Sequence, residues 1–246
     1  MTDLTLGLLL ALTALFTSAL SGVAGVGGGT ILIGVIYALG LEPVQAVSLF
    51  AAVQFVANSA RVLAYLREVQ WAAMGWFLLT CLPATWLLAP WAARVDVHLI
   101  QLLLAALIGI SLLPGAEARP LPPRLAFAVA GLANGALGLF VGATGLFVGR
   151  LFLRPEWPRQ RVVATLALTQ MVGHGLRVIA YGFEGVSALA RPMVLLPVCA
   201  AVIVGTLVGR HLNGRLSEAA FRRIFQGILV VLSFKLAFDG LTGLLA

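Results

Sequence analysis

Polar residues form one stripe along and just past an apolar helix predicted over residues 43–66. The stripe consists of Gln54, Asn58, Arg61, Tyr65 and Glu68. Their spacing of 4, 3, 4 and 3 residues places all five on one helix face. An arginine at the centre of a bilayer costs roughly 2.5–3.5 kcal/mol, so it normally faces a partner or a wet cavity. Because a guanidinium is a planar fork of donors that stays charged, the stripe predicts an oxyanion-binding face.

The same pattern recurs 116 residues later. Its members are Gln170, His174, Arg177, Tyr181 and Glu184. Arg61 alone could extend to the lipid headgroups, as long basic side chains do. If the two halves of the chain are inverted, however, Arg177 would have to extend to the other side of the membrane, so headgroup contact does not explain both arginines. We therefore assign both arginines to the anion site. Two interpretations of His174 stay open: it takes up a proton and couples transport to a proton gradient, or it is a neutral hydrogen-bonding residue in place of Asn58.

Glycine-rich breaks interrupt the apolar stretches at two places, also 116 residues apart. The predicted binding residues there are Gly27, Gly28, Gly29 and Thr30 in the first break, and Gly142, Thr144 and Gly145 in the second. A helix that restarts inside the membrane presents free N–H groups and a positive dipole end, which attract anions. Close helix packing is the alternative explanation, but three consecutive glycines exceed what packing needs.

The composition excludes most other classes of protein. Of 246 residues, 61% are hydrophobic and 10% charged, and the mean hydropathy is +1.05, as in a polytopic membrane protein. The 16 Lys and Arg residues lie mostly in loops, where they act as topology signals, so we expect no nucleic-acid partner. Cys81 and Cys199 lie in apolar stretches and form no metal site or disulfide framework, and we expect no cofactor.

The chain divides into two halves around a linker rich in proline and charge. We expect a first transmembrane repeat over 1–113, a cytoplasmic linker over 114–124 and a second repeat over 125–246. Each repeat would contain a glycine-broken helical hairpin followed by three spans. The predicted full spans are 4–24, 43–66, 71–93, 162–183, 192–208 and 224–245, with shorter spans at 99–113 and 125–141 and half-helices at 30–41 and 146–153.

The arginines indicate the orientation. If each break is a hairpin that returns the chain to its starting side, eleven of thirteen loop arginines share one side, and only Arg94 and Arg191 lie opposite. If each broken segment instead crosses once, the division weakens to nine against four. The hairpin interpretation makes the two repeats inverted, as in secondary transporters, and places both termini outside the cytoplasm.

The sequence resembles the TauE/SafE sulfite exporter family, also called TSUP transporters. The resemblance rests on the Gly25–Gly29 core after an apolar helix, the turn at Gly40–Ala46, the polar third segment, the basic linker and the second copy. It implies a multi-pass permease of the bacterial inner membrane that exports sulfite, sulfonates or related sulfur-containing anions.

The sequence favours a secondary-active transporter with a small anion bound near the midplane, between the glycine breaks and the two arginines. Protons or another ion would supply the driving force, because no ATP-binding motif is present. A passive anion channel of the same architecture is the alternative. An intramembrane enzyme or an assembly subunit ranks third, because no nucleophile or metal set is present. The oligomeric state is left open.

Overall fold

The computed structural model of the chain describes residues 2–24, 28–92, 94–113, 121–154, 156–212 and 218–245, and Gly27 and most of the linker lie outside these ranges. Within these residues the chain forms helices joined by short turns, and no strands. The α-helices are α1 (Asp3–Ala24), α2 (Gly28–Ala38), α3 (Pro43–Ala64), α4 (Trp71–Ala92), α5 (Val97–Leu112), α6 (Pro123–Val141), α7 (Gly145–Val148), α8 (Arg159–Phe183), α9 (Pro192–Leu212) and α10 (Glu218–Leu245).

Seven of these helices are long and apolar enough to cross a membrane: α1, α3, α4, α6, α8, α9 and α10. This confirms the predicted all-α polytopic membrane fold. The shorter apolar helices are α2, with 11 residues, and α5, with 16. Proline at the first position favours the starts of α3 and α6, since its missing N–H is not needed there. As a result α6 begins at Pro123 and has 19 residues, more than the short span predicted over 125–141.

The two pieces that follow the glycine breaks differ in length. In the first half α2 is a continuous helix, close to the predicted half-helix. In the second half the predicted half-helix over 146–153 is one α-helical turn, α7, followed by a 3-10 turn over Gly149–Phe152. In the sequence Pro155 follows Phe152 by three positions, and the residue before a proline is biased away from helical backbone. Before this piece, α6 ends at Val141 and is capped by Gly142, whose φ of +72° strongly favours glycine.

The most extensive helix contacts all join the first 113 residues to the second half of the chain: α1 with α9, α4 with α6, α3 with α8, and α5 with α10. The first pair runs parallel. Gly205 of α9 packs on the backbone of Leu15, and Gly209 packs on that of Ala19, with room for no larger residue. A Cβ at either glycine would lie 2.4 or 2.2 Å from the facing carbonyl oxygen. Small residues therefore bring these two spans into backbone contact.

Helices α4 and α6 are also parallel and in close contact. Gly131 of α6 packs on Phe77, and Gly135 packs on Cys81. A Cβ would lie 2.1 Å from the carbonyl oxygen of Phe77 and 2.5 Å from that of Cys81. The first-half helix thus packs on a second-half helix in the same manner as α1 on α9.

The other two pairs run antiparallel. The ring of Phe50, early in α3, lies 5.4 Å from that of His174, late in α8. Past the other end of α3, the N–H of Gln70 donates to Oγ1 of Thr165 near the start of α8, at 3.0 Å. The directions of these two helices are therefore opposite.

Helices α5 and α10 also lie in opposite directions. Ser233 Oγ donates to the carbonyl oxygen of Ala105 at 3.0 Å, and Gly243, near the chain end, packs on the ring of His98, near the start of α5. Asp96 caps this start, because its carboxylate accepts the N–H of His98 at 2.7 Å.

Candidate functional site

A polar cavity of about 60 Å³ lies where α3 crosses α8, beside the starts of α2 and α7. Ten of its fifteen lining residues form five pairs that are 116 positions apart. These pairs are Gly29 and Gly145, Thr30 and Leu146, Phe50 and Leu166, Gln54 and Gln170, and Asn58 and His174. The other five lining residues are Arg61, Ala143, Thr144, Val163 and Ala167. Corresponding positions of the two halves thus share one cavity.

The stripe on α3 lines one wall of this cavity through three of its predicted members. Asn58 Nδ2 donates to the carbonyl oxygen of Gln54, one turn earlier, at 2.8 Å. Its side-chain oxygen in turn accepts Nη1 of Arg61 at 3.2 Å. The amide of Asn58 therefore fixes one end of the Arg61 guanidinium, and the guanidinium faces the cavity. Tyr65 is more than one-third exposed and does not line the cavity.

Arg177, the counterpart of Arg61, is fully buried and does not line the cavity. Its Nη2 donates to both the carbonyl oxygen and Oδ1 of Asn134, at 2.9 and 2.5 Å. Its Nη1 donates to the carbonyl oxygen of Gly142 at 3.1 Å and lies 2.8 Å from Nδ1 of His174. All four acceptors are neutral, so the positive charge of Arg177 is hydrogen-bonded but not neutralised.

A chain of hydrogen bonds connects Arg177 to the cavity surface. Because Asn134 Oδ1 accepts from Arg177, its Nδ2 is the donor to Thr144 Oγ1, at 2.8 Å. The hydroxyl of Thr144 then donates to Oε1 of Gln170 at 3.3 Å. This order leaves Nε2 of Gln170 as the free end, and that atom is buried without a hydrogen-bond partner in the described structure. Gln170 itself lines the cavity, so the chain of hydrogen bonds ends in a buried, unpaired donor at the cavity wall.

His174 contacts both Arg177 and the cavity. A guanidinium has donors only, so Nδ1 of His174 must accept, and the ring proton lies on Nε2. Phe50 contacts the same ring edge to face. In this arrangement His174 is a neutral hydrogen-bonding residue. A proton on Nδ1 would point at the guanidinium, so proton uptake would require Arg177 to move.

Glycines make room for these side chains. At Gly138 a Cβ would lie 1.9 Å from Nη2 of Arg177, and at Gly173 a Cβ would lie 2.1 Å from Oδ1 of Asn134. At Gly29 it would lie 3.1 Å from Nε2 of Gln54. The absence of side chains therefore lets the guanidinium lie directly on the backbone of α6 and lets Gln54 approach the start of α2.

The other predicted binding residues take different places. Gly27 lies outside the described residues, and Gly28 is buried at the first position of α2 without lining the cavity. Gly142 contributes its carbonyl oxygen to Arg177. Tyr181 is buried, and its hydroxyl donates to the carbonyl oxygen of Leu139. The described ones among them, Gly28, Gly142 and Tyr181, lie behind or beside the cavity wall, like Arg177.

Sequence reasoning did not assign Asn134, which holds Arg177 with two acceptors, or Phe50, which packs on His174. The position of Asn134, 116 residues after the polar Ser18, was a usable signal for the first. An apolar residue such as Phe50 carries no comparable signal, because the surrounding stretch is apolar throughout.

The cavity is electropositive. None of the described residues around it is acidic, and Arg61 carries the one permanent charge on its surface, with Gln170 Nε2 as an unpaired donor nearby. Buried donors without acceptors favour an anionic ligand. Seven membrane-spanning candidates, two of which enclose a small polar cavity together with broken-helix segments, are typical of a polytopic membrane transport protein.

The comparisons with known proteins agree with this class. The chain belongs to the sulfite exporter TauE/SafE family, whose family model matches residues 10–236. A curated relative, the probable sulfite/organosulfonate exporter TauE of Cupriavidus necator, is 28% identical over 222 residues, which cover 85% of this chain and 84% of the relative. No solved structure gives a significant match. The family is one of transporters and not of enzymes, and the expected membership is confirmed.

Proposed function

We propose that this protein is a secondary-active exporter of small sulfur oxyanions, sulfite first among them, in the bacterial inner membrane. The observation that carries the proposal is the unpaired Nε2 of Gln170 in a cavity that also holds the Arg61 guanidinium. Family membership and the name of the relative from Cupriavidus necator support sulfite as the substrate.

The size of the cavity supports a small substrate. About 60 Å³ holds a few water molecules and is far below the roughly 300–1,000 Å³ of pockets for drug-sized ligands. A sulfite ion displaces those waters, and its oxygens accept from Arg61 and Gln170. Larger organosulfonates would require the cavity to widen. We therefore expect sulfite to bind more tightly than a bulky sulfonate.

The binding residues that we propose are the predicted ones that line this cavity. They are Gly29, Thr30, Gln54, Asn58, Arg61, Thr144, Gly145, Gln170 and His174. Arg177 acts through the hydrogen bonds of Asn134 and Thr144 that orient Gln170. Its uncompensated charge adds to the positive potential of the cavity, since the surrounding medium screens poorly.

We also propose that residues 1–113 and 125–246 are inverted repeats. Helices α3 and α8 hold corresponding stripes and run antiparallel, as do α5 and α10, whereas α1 is parallel to α9 and α4 to α6. If each broken segment crossed the membrane once, α3 and α8 would have to be parallel. The hairpin interpretation agrees with all four pairs.

The same contacts support an external location of both termini. Asp3 forms an ion pair of 2.5 Å with Arg191, one of the two arginines predicted outside the cytoplasm. Gly243 packs on His98, which follows the other, Arg94, by four positions. At the opposite end, Arg150 and Arg154 donate to the carbonyl oxygens of Ser111 and Leu121, which flank the linker.

Sulfite exchange by the purified protein in liposomes tests the function. We expect Arg61→Gln to lower exchange at least tenfold, because a hydrogen bond to a charged group is worth about 1.5–3 kcal/mol. The matched control is Arg67→Gln, which removes an exposed arginine from the turn after α3 and should leave exchange unchanged. Wild-type protein without sulfite exchange, or equal rates for the two variants, would contradict the proposal.

A further inference from the structure

Arg61 and Arg177 stand at corresponding positions but in different surroundings. Each bonds to the residue three positions earlier on its own helix, Arg61 to Asn58 and Arg177 to His174. Arg177 alone also bonds to a neighbouring helix, through Asn134 of α6 and through Gly142, which directly follows α6. Arg61 instead faces the cavity. The two halves thus have different conformations at corresponding positions, 61 and 177.

The contact of Arg177 with α6 has the shape of a slot. Gly138 forms its floor, since a Cβ there would lie 1.9 Å from Nη2 and 2.4 Å from Cζ of the guanidinium. Asn134, one turn earlier, supplies two acceptors and Gly142, one turn later, supplies a third. We call Asn134, Gly138 and Gly142 the α6 slot.

Helix α1 carries the matching residues for Arg61. Gly22 stands 116 positions before Gly138, and the hydroxyl-bearing Ser18 stands 116 positions before Asn134. Ser18 also contacts α9, and α9 corresponds to α4, which is the helix that Asn134 contacts. A Cβ on Gly205 of α9 would lie 3.0 Å from Cβ of Ser18, and Oδ1 of Asn134 lies 4.0 Å from Sγ of Cys81 on α4.

The cavity extends toward only one end of the α3–α8 crossing. Of the five lining residues outside the shared pairs, Arg61 and Val163 come from α3 and α8 and lie toward the end where the residues that flank the linker are placed. Their counterparts 116 positions away, Arg177 and Val47, lie at the opposite end and are completely buried. The cavity is therefore one-sided, and the side is the one whose arginine is out of a slot.

We propose that the two arginines alternate. In the state described here the α6 slot holds Arg177 and closes the external end, while Arg61 binds the anion at the cytoplasmic end. In the second state Arg61 enters a slot formed by Ser18 and Gly22 on α1, and Arg177 leaves α6 to face an external cavity. Asn134 and Gly138 are positioning residues in this exchange. The inference rests on the proposed transport function and on the inverted repeats.

Matched glycine substitutions test the alternation by cysteine accessibility. In full-length protein with Cys81 and Cys199 replaced by alanine, Val163→Cys reports the cytoplasmic end and Val47→Cys the external end, each labelled with a membrane-impermeant maleimide in liposomes. Gly138→Ala closes the α6 slot, so we expect labelling at position 47 to rise about tenfold and labelling at position 163 to fall. Gly22→Ala closes only the α1 slot, so labelling at position 163 should persist and labelling at position 47 should fall below the wild-type level.

A second variant strengthens the slot instead of blocking it. Asn134→Asp is isosteric and gives Arg177 a charged acceptor, so it should hold the present state, retain labelling at position 163 and reduce sulfite exchange about tenfold. If Gly138→Ala does not fold, Gly22→Ala and Asn134→Asp decide the matter, and normal labelling at position 47 in either variant overturns the alternation.

The outcomes separate the alternation from the substrate. Reciprocal labelling shifts without any sulfite exchange would support the alternating arginines and contradict sulfite transport. Two labelling results would overturn the alternation: Gly138→Ala leaves the labelling unchanged, or both glycine variants shift it in the same direction. If sulfite exchange still depends on Arg61 in that case, the transport proposal stands.

Discussion

Thr144 is the middle member of the hydrogen-bond chain that orients Gln170, and Thr144→Val tests that chain. Valine keeps the shape but removes the hydroxyl. Asn134 Nδ2 then loses its acceptor and Gln170 Oε1 loses its donor, in a region where both side chains are buried. Each unpaired buried group costs about 1–3 kcal/mol. Rotation of the Gln170 amide would relieve part of this cost, and Oε1 would then face the anion in place of Nε2.

The expected loss of affinity follows from that rotation. A hydrogen bond from a protein donor to a charged ligand is worth about 1.5–3 kcal/mol, which corresponds to a Kd about 10–150-fold weaker. Isothermal titration of sulfite into the purified protein measures this change directly. Thermal unfolding of the same samples measures the loss of stability from the unpaired groups.

Thr169→Val is the matched control. Thr169 is also completely buried on α8, next to Gln170, but its hydroxyl donates to the carbonyl oxygen of Leu166 on its own helix at 2.8 Å and it does not line the cavity. We expect the control to bind sulfite like the wild type. If Thr144→Val also binds sulfite like the wild type while remaining folded, the hydrogen-bond chain does not set the polarity of Gln170, and the reasoning is refuted.

Two further variants test the histidine and the helix packing. We expect His174→Asn to retain sulfite exchange, with unchanged dependence on pH between about pH 5 and 8. The reason is that an asparagine oxygen can accept from Arg177 as Asn58 does from Arg61. A lost pH dependence would instead assign proton coupling to His174. We expect Gly131→Ala to destabilise the protein by about 1–3 kcal/mol, since its Cβ would lie 2.1 Å from the carbonyl oxygen of Phe77. In the control Gly75→Ala the new Cβ has nothing within 4 Å, so the unfolding temperature should stay unchanged or rise. Equal unfolding temperatures for the two alanine variants would contradict the packing argument.

The polar stripe was predictable because helical periodicity alone decides which residues share a face. Gln54, Asn58 and Arg61 share a stripe by spacing, and all three line the cavity. Six of the seven long spans were predicted as full spans, since length and hydropathy suffice to find them, and α6 was predicted as a shorter one. Local rules of this kind need no knowledge of the tertiary contacts.

The hydrogen bonds around Arg177 were not predictable in the same way. Asn134 and Arg177 are 43 positions apart, and their contact depends on Gly138 and Gly173 allowing α6 and α8 to approach. Nothing in the spacing of either helix states how closely it packs on the other. The sequence also treats Arg61 and Arg177 as equivalent, whereas the structure gives them different environments.

The neutral surroundings of Arg177 are consistent with both anion binding and movement. A buried carboxylate partner would cancel the charge that attracts the anion, and separating such a pair costs about 3–5 kcal/mol because each charge is left uncompensated. Amide and carbonyl acceptors hold the guanidinium without neutralising it. If the arginine moves between them and an anion, it exchanges one set of oxygen acceptors for another. A transporter for anions therefore gains from binding its second arginine with Asn134 rather than with an aspartate, and this is why Asn134→Asp is expected to hold the protein in one state.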